Sequence, residues 1–237
     1  MEMNKLSNYS TYRLTNYLKS IGTEQNRQGQ ARFGIDISNS LGVSMPQVRA
    51  KAREIKKSLS EQNRHKLAGE LWQTGLREAM LLAAMIDVPG MVTKKQMDEW
   101  VGDFNSWDIC DTACGDLLDK TSFAVEKALE YTKSDKEFIK RAGFVLMAWL
   151  AVHDKGLPDK IFVQFLKVIK NNSQDDRNFV RKAVNWALRQ IGKSRNINLY
   201  NKALKLSEEL AKSTNKTEHW IGQNANTEFK AMRLCFQ

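Results

Sequence analysis

Apolar residues recur at helical spacing along almost the whole chain. This feature restricts the possible folds of the chain more than any other. Only 3 prolines and 13 glycines occur in 237 residues, so long uninterrupted helices are possible. No alternating pattern of useful length indicates a strand, and no glycine-rich phosphate loop is found. The sequence therefore predicts an all-α protein.

About a dozen helices follow from this spacing, and turn signals separate them at residues 87–90 (DVPG) and 155–158 (KGLP). The predicted helices span residues 8–20, 24–33, 46–59, 61–74, 76–87, 94–104, 107–119, 122–132, 135–153, 158–171, 176–192, 198–212 and 217–234. Short links between them predict helix pairs stacked in a solenoid, with residues 1–237 as a single domain. An irregular helical bundle is the alternative, because no strict sequence repeat is present.

The charge balance indicates the kind of partner. The formal net charge is +10, a surplus that favours a polyanion such as DNA or RNA. A generally basic soluble protein without such a partner is the alternative. The longest apolar run, residues 142–152, is shorter than the ~20 residues that a membrane-spanning helix needs. It is predicted to be a buried helix, and no membrane partner is expected.

The cysteines argue against disulfide and metal chemistry. Cys110, Cys114 and Cys235 are few and odd in number, and the chain start lacks an apolar signal core. This pattern is typical of a reducing, cytoplasmic compartment. Cys110 and Cys114 lie one helical turn apart, but zinc needs three or four protein ligands and the histidines are scattered. Both are predicted to be buried thiols, with no metal bound.

The segment 177–193 (RNFVRKAVNWALRQIGK) combines an apolar face with a basic stripe. Its apolar face comprises Val180, Ala183, Val184, Ala187, Leu188 and Ile191. Trp186 projects about 120° away from the centre of that face, among Lys182, Arg189 and Lys193. A tryptophan on a basic stripe fits a platform against sugar or base beside residues that hold phosphates. A tryptophan packed under a neighbouring helix is the equal alternative.

The segment 106–120 (SWDICDTACGDLLDK) places an aromatic ring beside a carboxylate. Ser106 is predicted to cap the helix, and Asp108 suits its positive first turn. Trp107 and Asp111 are four residues apart and therefore neighbours on the helix surface. A carboxylate that faces DNA must be compensated, and a cationic substrate would do so. A surface aspartate paired with a local lysine or arginine is the alternative.

Three further tryptophans lie in apolar helical positions. Trp72, Trp100 and Trp149 are predicted to belong to the core.

Taken together, these residues resemble the AlkD-type family of DNA alkylation repair proteins. The two strings that carry the resemblance are SWDICD (106–111) and RNFVRKAVNWALRQIGK (177–193). Supporting strings are ARFGI (31–35), GVSMPQVRA (42–50) and FIKRAGFVLMAWLAVHDK (138–155). The resemblance covers residues 25–212, and the combination of the two strings is moderately specific.

The resemblance implies a right-handed superhelix of HEAT-like antiparallel helix pairs, whose concave positive face holds duplex DNA. Members of the family release N3- and N7-alkylated purines from double-stranded DNA without a metal or organic cofactor. Trp107 and Trp186 would contact the deoxyribose of the damaged nucleotide, and Asp111 would be the catalytic carboxylate. Arg141 and Arg189 would hold the DNA backbone. The chain is expected to act as a monomer.

Additional DNA contacts are expected from Lys182 and Lys193 on the basic stripe and from an N-terminal wall. Phe33 stands in that wall where a tyrosine is expected, so a hydroxyl contact is lost. Ser44 and Pro46 belong to a segment that is less polar than expected. These departures concern lesion preference and rate. Because relatives with this fold include DNA binders without excision activity, a non-catalytic module for branched or distorted DNA is the alternative function.

Overall fold

The structure, a computed structural model, describes residues 9–234, with side chains described as far as residue 232. This part of the chain contains thirteen α-helices, two short 3-10 helices and no strand. The α-helices are α1 (Thr11–Ile21), α2 (Glu24–Arg32), α3 (Met45–Ser58), α4 (Glu61–Trp72), α5 (Arg77–Ile86), α6 (Lys94–Gly102), α7 (Trp107–Asp116), α8 (Ala124–Tyr131), α9 (Glu137–His153), α10 (Asp159–Asn171), α11 (Asn178–Ser194), α12 (Ile197–Leu210) and α13 (Lys216–Leu234). Cys235, the third cysteine of the sequence, lies outside the described residues.

Every predicted helix is present, and the local signals explain most of the boundaries. α3 begins at Met45, one residue before the predicted start, with Ser44 as its N-cap residue and Pro46 in its first turn. The amide oxygen of Gln47 accepts hydrogen bonds from the backbone N–H of Ser44 at 3.2 Å and from its hydroxyl at 2.6 Å. The predicted turn at 87–90 continues into a 3-10 helix, Pro89–Met91.

Two compact units emerge from the packing, Met1–Thr121 and Ser122–Gln237. In the first unit α5 is the central helix, because all of its residues are buried. It packs against α1, α3, α4 and α7. Trp72 and Trp100 lie in this core as predicted, with their rings stacked in parallel and their centroids 4.0 Å apart. That the whole chain is one domain stays a prediction.

In the second unit α9 and α11 form the main packed pair. The apolar run predicted as a buried helix is the central part of α9, where residues 142–148 are all buried. α8 packs on α9, while α12 and α13 pack on α11. None of the helices in the described part of the chain is long and apolar enough to cross a membrane.

The contact of α8 with α9 depends on Gly143. A Cβ atom at this position would lie 2.7 Å from the backbone nitrogen of Thr132 and 2.8 Å from the carbonyl oxygen of Ala128. Because both neighbours are backbone atoms, they cannot yield without moving the helices. Gly143 therefore sets the closest approach of α8 to α9.

We expect Gly143→Ala to lower the free energy of unfolding by about 1–3 kcal/mol, as overpacked core substitutions do. Gly69→Ala, in the middle of α4, is the matched control because a Cβ there meets nothing within 4 Å. It is expected to raise stability by about 0.5–1 kcal/mol through helix propensity. Urea unfolding of both variants measures the difference, and equal effects would contradict the packing argument.

Candidate nucleic-acid interface

Asp108 at the start of α7 has a structural partner. Its Oδ2 accepts a hydrogen bond from Nε of Arg77 at 2.7 Å, and Nη2 of Arg77 also contacts it. Both residues are buried, at 7% and 3% exposure. Ser106 is the N-cap residue of α7, but its hydroxyl donates to Oδ1 of Asp108 at 2.5 Å rather than accepting from the helix backbone. Ser106 therefore occupies the predicted N-cap position but makes no side-chain hydrogen bond to the helix backbone.

The same arginine extends the network to Glu78. Nη1 of Arg77 donates to Oε1 of Glu78 at 2.9 Å, and Glu78 is completely buried. The Glu78 carboxylate accepts backbone N–H groups of the segment before α3, which are those of Leu41 at 2.8 Å, Gly42 at 3.1 Å and Val43 at 3.3 Å. Through this network the segment 41–43, which precedes Ser44 and Pro46, is bound to α5 and α7.

Asp111 lies one turn further along α7 and differs from Asp108 in exposure. It is partly accessible to solvent, whereas Asp108 is buried. Cys110 and Cys114 beside it are fully buried, as predicted. Burial, together with neighbouring Cys110 and the charge of Asp111, raises the pKa of Cys114 well above its usual value. The thiol therefore stays protonated and inert at neutral pH.

Trp107 is held by the end of α2. Its indole N–H donates to the carbonyl oxygen of Phe33 at 3.0 Å. Trp107 is partly exposed, and Phe33 is 75% exposed. Phe33 and Ser44 also line a cavity of about 430 Å³, and Pro46 is exposed at the start of α3. The predicted N-terminal wall and Trp107 are thus neighbours within the first unit.

Trp186 on α11 belongs to an aromatic cluster in the second unit. Its ring meets the edge of Trp149 in a T-shaped contact, with centroids 5.3 Å apart. His153 stacks on Trp149 at 4.7 Å. Trp149 is only partly buried, so its prediction as a core residue is wrong: it borders the accessible surface beside Trp186. The buried apolar face of α11 is the predicted one.

The cations of the basic stripe differ in their partners. Lys182 is exposed. Arg189 and Lys193 both pair with the carboxylate of Glu228 on α13; the Lys193 Nζ to Glu228 Oε1 distance is 2.5 Å. Burial works to raise the pKa of Glu228, but hydrogen bonds from Lys193 and Arg189 outweigh it, so that pKa lies below its usual value. Glu228 is therefore ionised at neutral pH.

Arg141 lies in a different environment from these cations. It is 5% exposed, and its Nη1 donates to the carbonyl oxygen of Phe179 at 2.7 Å. This contact joins α9 to the first turn of α11. The guanidinium thus has a backbone partner inside the second unit, and its predicted contact with DNA stays a prediction.

Other residues of the 177–193 segment hold α11 in place. Asn185 is buried, and its side-chain amide donates to the carbonyl oxygen of Ile221 on α13 at 3.1 Å. Arg177 binds Asp175 through two nitrogens. Its hydrogen bond, together with Lys140, lowers the pKa of Asp175 to about 2 despite partial burial. The segment therefore combines residues that position the helix with residues on its accessible side.

Four residues of these surroundings were not predicted from the sequence. They are Arg77, the partly exposed Trp149, His153 and Glu228. Arg77 carries a weak signal, since it begins α5 just before the unbroken apolar run 79–86, which is predicted to be buried. Glu228 lies 39 positions from Arg189, and no local pattern connects them. In the described part of the chain, no group of three His, Cys, Asp or Glu residues is placed to hold a metal ion.

The fold has a known counterpart among solved structures. One such structure is described as belonging to a new family of proteins related to the HEAT-like repeat DNA glycosylases with affinity for branched DNA structures. It has a TM-score of 0.75 and 21% sequence identity, and the alignment covers 92% of this chain and 95% of that chain. The prediction of an all-α fold of HEAT-like helix pairs is confirmed.

The sequence comparison identifies the family. The model of the DNA alkylation repair enzyme family matches residues 14–220. The chain therefore belongs to this family, and the predicted resemblance is confirmed. A search of curated protein sequences finds no significant match.

Proposed function

We propose that the chain is a DNA repair glycosylase that hydrolyses the N-glycosidic bond of cationic N3- or N7-alkylated purines in duplex DNA. One observation carries the proposal: Asp108 and Asp111, two of the three aspartates of α7, have different environments. Asp108 is buried on Arg77, whereas Asp111 is partly exposed one turn from Trp107. This difference supports Asp111, rather than Asp108, as the carboxylate of the proposed reaction.

The substrate needs little acid catalysis. Alkylation at N3 or N7 makes the purine cationic, so it leaves as a neutral base with the electron pair of the glycosidic bond. Positive charge then develops on the deoxyribose, and the carboxylate of Asp111 stabilises it. The same carboxylate accepts a proton from the water that attacks C1′. The products are the free base and an abasic site, and no cofactor enters the reaction.

Aromatic and basic residues hold the DNA in this proposal. The electron-rich face of Trp107, one turn from Asp111, attracts the cationic sugar, and Trp186 offers an indole face to the DNA in the second unit. Lys182, Arg189 and Lys193 contact phosphates along α11. Phe33, Ser44 and Pro46 face the DNA from the N-terminal wall. We assign Arg141 a positioning role, because its hydrogen bond to the Phe179 carbonyl supports the start of α11.

The direct test is base release from duplex DNA treated with a methylating agent. We expect purified wild-type protein to liberate 3-methyladenine or 7-methylguanine, and the DNA to become cleavable by alkali at the resulting abasic sites. Heat-treated protein is the control for spontaneous loss, which is appreciable for these cationic bases. Binding to the DNA without release above the spontaneous rate would contradict the proposed enzyme.

A second function is favoured by the structural relative, whose description names affinity for branched DNA. In that case the chain would bind a four-way junction more tightly than a linear duplex of the same length and leave no abasic product. Binding would weaken steeply with salt, because phosphate contacts release counterions. Competition between the two DNAs at one salt concentration distinguishes the two functions when combined with the base-release assay.

A further inference from the structure

Arg189 and Lys193 converge on one carboxylate. Glu228 uses Oε2 for Arg189 and Oε1 for Lys193, so both of its oxygens are engaged. A group with two acceptor oxygens thus occupies the space in front of two cations on the accessible stripe of α11. A DNA phosphate also presents anionic oxygens, so it can pair with the same arginine and lysine.

We propose that Glu228 is an internal counter-ion of the α11 phosphate site, and that a DNA phosphate displaces it when DNA is seated there. The inference rests on the DNA-binding part of the proposed function and adds a residue that controls selectivity. Glu228 is not predicted to touch the base or the sugar. It acts through Arg189 and Lys193.

The surroundings of this cluster permit such an exchange. The side chains of Arg189 and Lys193 are each 29% exposed and that of Glu228 is 27% exposed. The ion pairs are therefore neither sealed in the core nor fully solvated. Because hydrogen bonds lower the pKa of Glu228, its negative charge persists at neutral pH and opposes any phosphate that does not replace it.

The consequence is selectivity against weakly seated DNA. Non-specific binding of a basic protein increases with each cation available to phosphate. Glu228 removes two such cations from the surface until a phosphate is well placed to compete. DNA that is bound at many other points can displace Glu228, whereas DNA that contacts the protein only transiently cannot.

The test is the affinity of Glu228→Gln for undamaged linear duplex as a function of salt. The variant keeps the size of the side chain and removes its charge. We expect roughly tenfold tighter binding at low salt and a salt slope steeper by roughly one to two units, since each phosphate contact contributes about 0.9. Affinity for methylated duplex should rise less, so the preference for damaged DNA decreases.

Glu208→Gln is the matched control. Glu208 is exposed on α12, and its substitution makes the same change in net charge. If Glu228→Gln binds undamaged duplex no more tightly than Glu208→Gln, or more weakly while still folded, the inference is overturned. If the wild type binds no DNA at all, the proposed function fails together with the inference. If the wild type binds DNA but Glu228→Gln does not bind more tightly, only the inference fails.

A second measurement leaves Glu228 intact, in case its substitution prevents folding. Arg189→Gln should weaken binding to undamaged duplex less than Lys182→Gln does, because Arg189 is already engaged by Glu228 whereas Lys182 is exposed. The order should reverse for methylated duplex, where Arg189 is released to the phosphate. A larger loss for Arg189→Gln on undamaged duplex would overturn the inference.

Discussion

Asp111→Asn is expected to release alkylated purines roughly 10²–10³-fold more slowly than the wild type, the usual cost of losing one well-placed electrostatic group. Asparagine keeps the shape of the side chain but has no charge to stabilise the sugar cation and is a poor proton acceptor. Single-turnover assays with excess protein measure this rate without interference from product release. Affinity for DNA should stay equal or improve, because a repulsive charge is removed.

The matched control for this prediction lies on the same helix. Asp116 is also partly exposed on α7, where it pairs with Arg49. Asp116→Asn makes the same change in charge, and its rate of base release is expected to match the wild type. Equal rates for Asp111→Asn and wild type would remove Asp111 from the proposed mechanism. A loss in both variants would indicate a general effect of charge on α7.

The helices could be predicted because each one carries its own local signals. The spacing of apolar residues marks the buried side of α11, and Pro46 and Ser44 mark the start of α3. Errors in the predicted helix bounds are confined to the helix ends. The helix predicted over 107–119 ends at Asp116, and a short 3-10 helix follows at Leu118–Lys120. The end of this helix depends on its packing against other helices, which the spacing of apolar residues does not reveal.

The identities of Trp107, Asp111 and Trp186 could also be proposed from the sequence, since a tryptophan beside a charge is visible in the helical spacing. Their partners could not. The indole of Trp107 reaches a carbonyl 74 positions away, and Lys193 reaches Glu228 across 35. Such pairs are set by the packing of helices, and an isolated helix gives no indication of them.

Trp149 illustrates why helical spacing alone misjudged one side chain. α9 is apolar on nearly all sides, with ten of its residues buried. In such a helix no polar face marks which direction leads to solvent. The prediction therefore placed Trp149 with its apolar neighbours, whereas the structure leaves it partly exposed beside Trp186 and His153.

Arg77→Met is expected to have the largest effect on stability, lowering the free energy of unfolding by about 3–5 kcal/mol, as removal of one member of a buried ion pair does. Methionine fills similar space but leaves Asp108 and Glu78 as two buried carboxylates without their shared cation. Both carboxylates then lack a counter-ion while buried, at 0% exposure for Glu78 and 7% for Asp108. The midpoint of urea unfolding, at an unchanged slope, measures the loss.

An exposed pair provides the comparison for Arg77. Lys95 and Glu99 on α6 are 3.6 Å apart, with side chains 86% and 60% exposed. Lys95→Met removes a cation from this pair and is expected to change stability little, because both groups remain solvated. If Arg77→Met and Lys95→Met shift the urea midpoint equally, the buried network does not stabilise the first unit.

The same variant also tests how Asp108 supports Asp111, the proposed catalytic carboxylate. Asp108→Asn in the Arg77→Met background removes one of the two uncompensated charges and should recover part of the lost stability. Base release per folded molecule should nevertheless stay reduced, because Arg77 links α5 to the first turn of α7, which carries Trp107. Full recovery of both stability and release would mean that the network supplies only charge balance and does not position Trp107 and Asp111.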